Sequence, residues 1–452
     1  MSGILLKGAT VITMSPGRPD AERVDVLIED DRIRAVGECR DGTGVESVDL
    51  SGRIVIPGLI NAHLHTWQSA LSLIGADWTL LEYLRRVHGD LAPAYAPADV
   101  YIGNLAGALN QINCGTTTLG DWSHNNATPE HTDAAVEALQ ASGIRAVFLH
   151  GTSNREPGAP HPLGEVDRLL DGPQHPLLTV GMAIGGPQFS TPEVAVADMR
   201  AAEERAVIAS MHQSGGQPAA AWAAVHAAGL FGPHTNVVHG AGLTGDWLQT
   251  LIDTGATFTT TPENELSHGH CTPVTGRLLA LGDAPSLGTD TPTAVSGEIL
   301  SAARVALGSQ RGLDHAHHRR ETGMVRSTAS VTSKQALSWA TVEGARALGL
   351  SDSVGRLEPG MQADLAVIDA RALNLWPAHD PVAAALHASL ANIEAVMIAG
   401  MWRKRDHALI DTRIDAVKRE LWESGNRLVR ERNAISDESL PSGSPPDRDR
   451  RS

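Results

Sequence analysis

The run IVIPGLINAHLH ends in two histidines, His63 and His65, spaced two residues apart. In an extended strand positions i and i+2 share a face, so both imidazoles project the same way. Two neutral imidazoles on one face make half of a tetrahedral or five-coordinate metal site. Taken alone, a His-x-His pair is as compatible with a surface or a core. Three later apolar runs change its weight. Met211-His212 closes AVIASM, Val238-His239 closes TNVV, and Asp290 closes APSLGT. Each places a ligand-capable side chain where a run stops, in the order His-x-His, His, His, Asp.

Such a centre needs strands whose ends converge. Between residues 58 and 350, apolar runs alternate with helical patterns such as DAAVEALQASG and TGDWLQTLIDTG. The runs are IVIPGLINAHLH, TTTLGDWSH, IRAVFLHGTS, LLTVGMAIGGP, AVIASMHQS, TNVVHGAG, ATFTTTPENE and APSLGTD. Eight βα repeats over about 290 residues predict a (β/α)8 TIM barrel, whose sites sit at the C-terminal strand ends. Residues 1–57 and 351–410 instead alternate apolar and polar positions in short runs. They predict a small composite β-sandwich from both chain ends, with the barrel inserted. Residues 411–433 have an amphipathic, charged helical pattern, and 434–452 are Pro/Ser/charge-rich, which predicts a disordered tail.

Composition bounds the partners. The 452 residues carry 36 Lys+Arg and 52 Asp+Glu, a formal charge of −16, which repels phosphate backbones and argues against nucleic-acid binding. The three cysteines, Cys39, Cys114 and Cys271, are too few and too far apart for a disulfide framework or a Cys-rich zinc module. No run approaches ~18 uninterrupted apolar residues, so no membrane span is expected. The opening MSGILLKGATVITMSPG has neither signal-peptide nor transit-peptide character. The expectation is a cytoplasmic protein acting on a small molecule.

Beyond these spacings the sequence resembles the amidohydrolase superfamily, in its aminohydrolase/chlorohydrolase, cytosine-deaminase-like branch. The resemblance covers about residues 1–410. It is carried by IVIPGLINAHLHTWQSAL, NCGTTTLGDWSH, VVHGAGLTGDWLQTLIDTGA, TPENELSHGHCTPVTGRLL, SLGTDT and ALSWATVEGARALGLSDSVGRLEPGMQADLAVID. It implies that His63, His65, His212 and Asp290 bind one divalent ion, zinc or iron being usual. His239 would polarise substrate or steer the water, and Asp290 would also be general base. Binuclear relatives bridge two ions with a carboxylated lysine on strand four. Here no lysine lies between Lys7 and Lys334, so one ion is expected, Zn2+ first and Fe2+ second. The resemblance also implies a homo-oligomer, dimer or tetramer.

One departure bears on the chemistry. In that branch strand five reads His-x-x-Glu, the acid that serves a departing amine, whereas this chain reads His212-Gln-Ser-Gly215. Displacement of an amino group from a planar N-heterocycle is the leading expectation. A halide, a thiol, or the amine of an amide or carbamate are the alternative leaving groups, and a catalytically inactive metal-binding barrel is a further one. Substitute groups lie on other strand ends: Glu263, Glu265 and His270 after strand seven, and Asp121 and His124 after strand two. Each is either a substrate contact or a solvated loop residue. Trp67 and Gln68 follow His65 directly and could stack on and hydrogen-bond a flat substrate, or pack the loop. His315, His317 and His318 read as an exposed charged loop, and Cys271 lacks a partner base for a nucleophilic role.

Overall fold

A computed structural model of the chain describes residues 3–39, 44–154 and 156–438. Of the expected tail, 434–438 continue a helix, Ile414–Glu438, and 439–452 lie outside the described residues. Among the described residues no helix is long and apolar enough to cross a membrane.

Eight parallel strands follow one another around a single sheet in chain order. They are Leu59–Leu64, Thr116–Ser123, Arg145–His150, Leu178–Ala183, Ala209–Gln213, Thr235–His239, Thr257–Thr260 and Ser286–Leu287. A parallel bridge from Leu64 to Asp290 joins the last strand's segment to the first. With helices between the strands this is a (β/α)8 barrel. Its strands are buried along most of their length, as expected for a parallel sheet covered on both faces.

The barrel floor is unusually polar. Asn236 Nδ2 donates to Thr257 Oγ1 (3.1 Å) and Thr259 Oγ1 (2.9 Å), Ser210 Oγ donates to Asn236 Oδ1 (3.1 Å), and Trp122 Nε1 donates to Ser210 Oγ (3.2 Å). Because every one of these groups is buried, the mutual hydrogen bonds offset their desolvation and fix the strand register beneath the site.

Both chain ends build the small β domain. A seven-stranded sheet contains Thr10–Val11 and Arg53–Pro57 from the first segment, and Leu365–Asp369, Ile393–Ile398 and Met401–Arg405 from the last. Arg53–Pro57 pairs antiparallel with Leu365–Asp369, so the N-terminal segment is hydrogen-bonded to chain more than 300 residues later. A four-stranded sheet of N-terminal strands packs over it through Leu6, Val26, Ile28, Val55, Leu365 and Met397. Arg145, on the third barrel strand, ties this domain to the barrel. Its guanidinium donates to both Asp364 carboxylate oxygens (2.8 and 3.0 Å) and to Gln362 Oε1 (2.8 Å).

Several expectations need correction. IVIPGLINAHLH is two strands, one in each domain, because the chain leaves the sandwich sheet at Pro57 and enters the barrel at Leu59. The seventh run stops at Thr260, and Pro262–His268 is a short helix, since proline at the first helical position suits a helix start. Glu263 and Glu265 are therefore helical residues, not loop residues. His315, His317 and His318 lie on the long helix Ile299–Thr322, where His317 Nε2 pairs with Glu321 one turn on (3.1 Å). Asp121 lies within the second strand and is fully buried.

Candidate metal centre

His63 and His65 lie on and just beyond the first barrel strand, His212 on the fifth, and Asp290 three residues past the eighth. One ligand atom from each lies within 4.8 Å of the others. His63 Nε2 is 3.2 Å from Asp290 Oδ1 and 3.2 Å from His212 Nε2, and His65 Nε2 is 3.4 Å from the same Asp290 oxygen. His65 Nδ1 donates to the Trp122 carbonyl at 2.8 Å, which makes Nε2 the lone-pair nitrogen of the ring, on the side of Asp290. Ring nitrogens facing one another and a carboxylate at such distances repel or compete unless something positive lies among them. Burial lowers the pKa of His63 and takes that of His212 well below the usual imidazole range, so both favour the neutral, ligating form. Three such imidazoles and one carboxylate are a donor set for one divalent ion.

Main-chain contacts hold these side chains in place. Thr289 N and Asp290 N both donate to His63 O (3.1 and 3.0 Å), and His65 N donates to Asp290 O (2.7 Å). Asn61 closes the same seam. Its Nδ2 donates to Thr289 Oγ1 (2.7 Å) and its Oδ1 accepts from Thr289 N (3.2 Å). Trp122 forms a platform, its ring 4.3 Å from that of His212 and 5.5 Å from that of His65. Both His239 (φ 68°) and Asp290 (φ 61°) occupy the left-handed region, a non-glycine conformation that costs about 1 kcal/mol or more each and concentrates at functional sites.

The sixth-strand His239 adjoins this cluster. Its Nδ1 is 3.1 Å from Glu265 Oε1 and 3.2 Å from Thr261 Oγ1, and Glu265 Oε1 also accepts from Thr261 N at 2.9 Å. Burial alone would lower the His239 pKa, but the Glu265 and Asp290 carboxylates outweigh it and raise it. Burial would likewise raise the Asp290 carboxyl, but the hydrogen bond from His63 and the surrounding imidazoles hold it well below the usual carboxylate range. Asn264 Nδ2 donates to the other Asp290 oxygen in a short contact. Asp121, by contrast, is pushed up to about 7 by burial, its hydrogen bonds from Thr66 only partly offsetting this.

The remaining candidates divide. Glu265 is fully buried against His239, and His270 (4% exposed) lies beside His239 with ring centroids 4.4 Å apart. The His124 ring packs against that of His65, tilted by 47° with 4.2 Å between centroids, and so adjoins a proposed ligand. Glu263 turns away, its Oε1 accepting from Ser301 on the following long helix. Trp67 and Gln68 are packed among neighbouring side chains. Both are fully buried on the turn Thr66–Leu71, where Trp67 Nε1 donates to His124 Nδ1 (3.4 Å) and Gln68 Nε2 donates to the Tyr83 phenol oxygen, Oη (2.7 Å). Asn264, Asn61, Ser214 and His88 carry no expectation from sequence. His88 comes from a separate helical turn and its Nε2 meets His124 Nε2 at 3.4 Å.

Comparison with known proteins accords with this geometry. The chain is 27% identical over 456 aligned residues to a 5-methylthioadenosine/S-adenosylhomocysteine deaminase of Symbiobacterium thermophilum, covering 95% of this chain and 100% of that one. It is 26% identical to a 5′-deoxyadenosine deaminase of Methanosarcina mazei, covering 95% and 99%. Among solved structures, a zinc-bound atrazine chlorohydrolase from Arthrobacter aurescens superposes with a TM-score of 0.82 at 21% identity, covering 93% of this chain and 100% of that one. A zinc-bound adenosine deaminase from Xanthomonas campestris has the same score at 20% identity, covering 95% and 99%. At such identities the structural likeness speaks for the fold. Residues 54–403 match the amidohydrolase family, well over half of the sequence, and the chain therefore belongs to that family of hydrolases acting on carbon–nitrogen bonds.

Proposed function

We propose that the chain is a single-metal aminohydrolase that removes the exocyclic amino group of an adenine nucleoside as ammonia. The observation that carries this reading is the gathering of His63, His65, His212 and Asp290, with His239 beside them, at one mouth of the barrel. The names of the full-length relatives support adenine nucleosides as the substrate class.

Zinc is the proposed ion, since three imidazoles and a carboxylate suit it. When bound, a divalent ion supplies the Lewis acidity that makes water nucleophilic near neutral pH. The chain's own groups do the rest. Asp290, held low in pKa and steadied by Asn264, accepts the proton of the attacking water at its carboxylate. Glu265 and Thr261 occupy His239 Nδ1, leaving Nε2 to hydrogen-bond the oxygen as its bond to the amino-bearing carbon forms. The carbon–nitrogen bond then breaks, and the proton taken from water leaves with ammonia.

The test is ammonia release, with mass detection of the oxygen-for-nitrogen product, from adenosine, 5′-deoxyadenosine, 5′-methylthioadenosine and S-adenosylhomocysteine. Zinc-dependent release that Asp290→Asn abolishes is expected. Failure to deaminate any of the four, with chloro-triazines or carbamates turned over instead, would replace the reading.

A further inference from the structure

His270 reaches the metal centre by an unusual route. It follows the short helix Pro262–His268, and its N–H donates to Glu265 O at 3.0 Å. The next residue, Cys271, has φ 111°, a strained conformation for any side-chain-bearing residue. This turn crosses directly over Gly215, just past the fifth barrel strand. A Cβ on Gly215 would lie 2.7 Å from His270 O and 2.6 Å from Cys271 Sγ. Real Cβ atoms do not approach main-chain oxygens that closely, so residue 215 has no side chain because the 270–271 turn occupies its space.

The result is an imidazole with one nitrogen held and one left over. Ser214 Oγ meets His270 Nδ1 at 3.0 Å, which orients the ring. His270 Nε2 is buried and, among the described residues, has no hydrogen-bond partner. A buried polar atom left unmade costs about 1–3 kcal/mol, so it persists where something else completes it. A ligand atom of His270 lies within 4.8 Å of those of His239 and Asp290.

We propose that His270 is a substrate-contacting residue, its Nε2 hydrogen-bonding the ring nitrogen beside the amino-bearing carbon of a planar N-heterocycle, and that Gly215 and Ser214 serve to admit and orient it. The inference rests on the aminohydrolase reading above. An imidazole in either tautomer can serve a ring nitrogen or its N–H form, whereas a ring carbon offers it nothing.

The test pairs residue and ligand. The adenine nucleoside that the wild-type holoenzyme deaminates best is compared with its 1-deaza analogue, in which carbon replaces that ring nitrogen, read as a competitive inhibitor. His270→Ala and the ring-sized His270→Phe should lower kcat/KM for the nucleoside by about 10- to 100-fold, the worth of one buried hydrogen bond. Both should leave the inhibition constant of the deaza analogue within about threefold and the metal content unchanged. Equal losses on both ligands would overturn the contact while leaving the aminohydrolase reading intact. Loss of a second equivalent of metal in His270→Ala would also overturn it, making His270 a ligand instead. A wild-type enzyme that deaminates no heterocycle would remove the reading and this contact together.

Discussion

Glu265 offers a way to weigh how much His239 depends on being held. The carboxylate is fully buried, and one oxygen both faces His239 Nδ1 at 3.1 Å and accepts from Thr261 N at 2.9 Å. Glu265→Gln keeps the shape. Its amide oxygen can still accept from both donors, so the ring orientation survives and only the charge is lost. The difference between a charge-assisted and a neutral hydrogen bond is about 1–1.5 kcal/mol, which at about 1.4 kcal/mol per decade is roughly a fivefold to tenfold loss in kcat. Glu265→Leu removes the carboxylate, strands the buried Thr261 N–H and leaves His239 Nδ1 only Thr261 Oγ1 at 3.2 Å, a weaker hold on the imidazole. Losing a placed donor to the developing oxygen costs about 10²–10³-fold in kcat, and the loss should approach that range. Steady-state kinetics on the best nucleoside gives the two ratios, and elemental analysis checks that metal stays bound, since Glu265 makes no hydrogen bond to a proposed ligand. Full turnover by the Leu variant, or equal losses in the two variants, would refute the idea that Glu265 acts by orienting His239.

Other expectations follow from contacts around the barrel. A Cβ on Gly288 would lie 2.6 Å from His63 O and 2.8 Å from His63 Cβ, so Gly288→Ala should push His63 off position and weaken metal binding at least tenfold, and a metal titration that matched wild type would count against it. Arg145→Leu strands the buried Asp364 carboxylate between the two domains and should cost about 3–5 kcal/mol in denaturant unfolding with metal content unaltered. The pair His150 and His161, 3.1 Å apart at the end of the third strand, is held neutral by burial, with pKa values lowered to about 4 and about 3. Because the folded values lie below the unfolded one, their contribution is complete above about pH 6.5 and is lost as pH falls toward 4 and 3. At about 1.4 kcal/mol per unit this is a loss of several kcal/mol, opposed by Asp198, whose burial-raised value of about 6 adds stability as pH falls below it. Urea midpoints measured from about pH 7 to 4 should decline for wild type and decline less for His161→Asn, and parallel curves would exclude the pair as the source.

The barrel was legible in the sequence because most strands end an apolar run at a polar or histidine residue, with His212 and His239 on the fifth and sixth strands and Asp290 just past the eighth. The same logic failed where an apolar run flowed on without a break. Thr257–Thr260 continues into Thr261-Pro262, and only the proline marks the helix that aims Glu265 and Asn264 at the site. The packing of Trp67 and Gln68 was not legible, because their burial depends on Tyr95 and Tyr83, which come from other segments. Ser214 with His270, and Gly215 beneath the 270–271 turn, join positions more than 50 residues apart, which no local pattern reveals. Glycine at 215 read as a missing group, whereas in three dimensions its place is taken.

The most direct test of the metal centre is elemental analysis of untagged protein, set beside the His63→Ala and Asp290→Ala variants. The expected result is close to one equivalent of zinc per chain, lost in both variants along with ammonia release. Near-zero metal in active wild-type protein, or metal content unchanged by both substitutions, would contradict a catalytic ion held by His63, His65, His212 and Asp290.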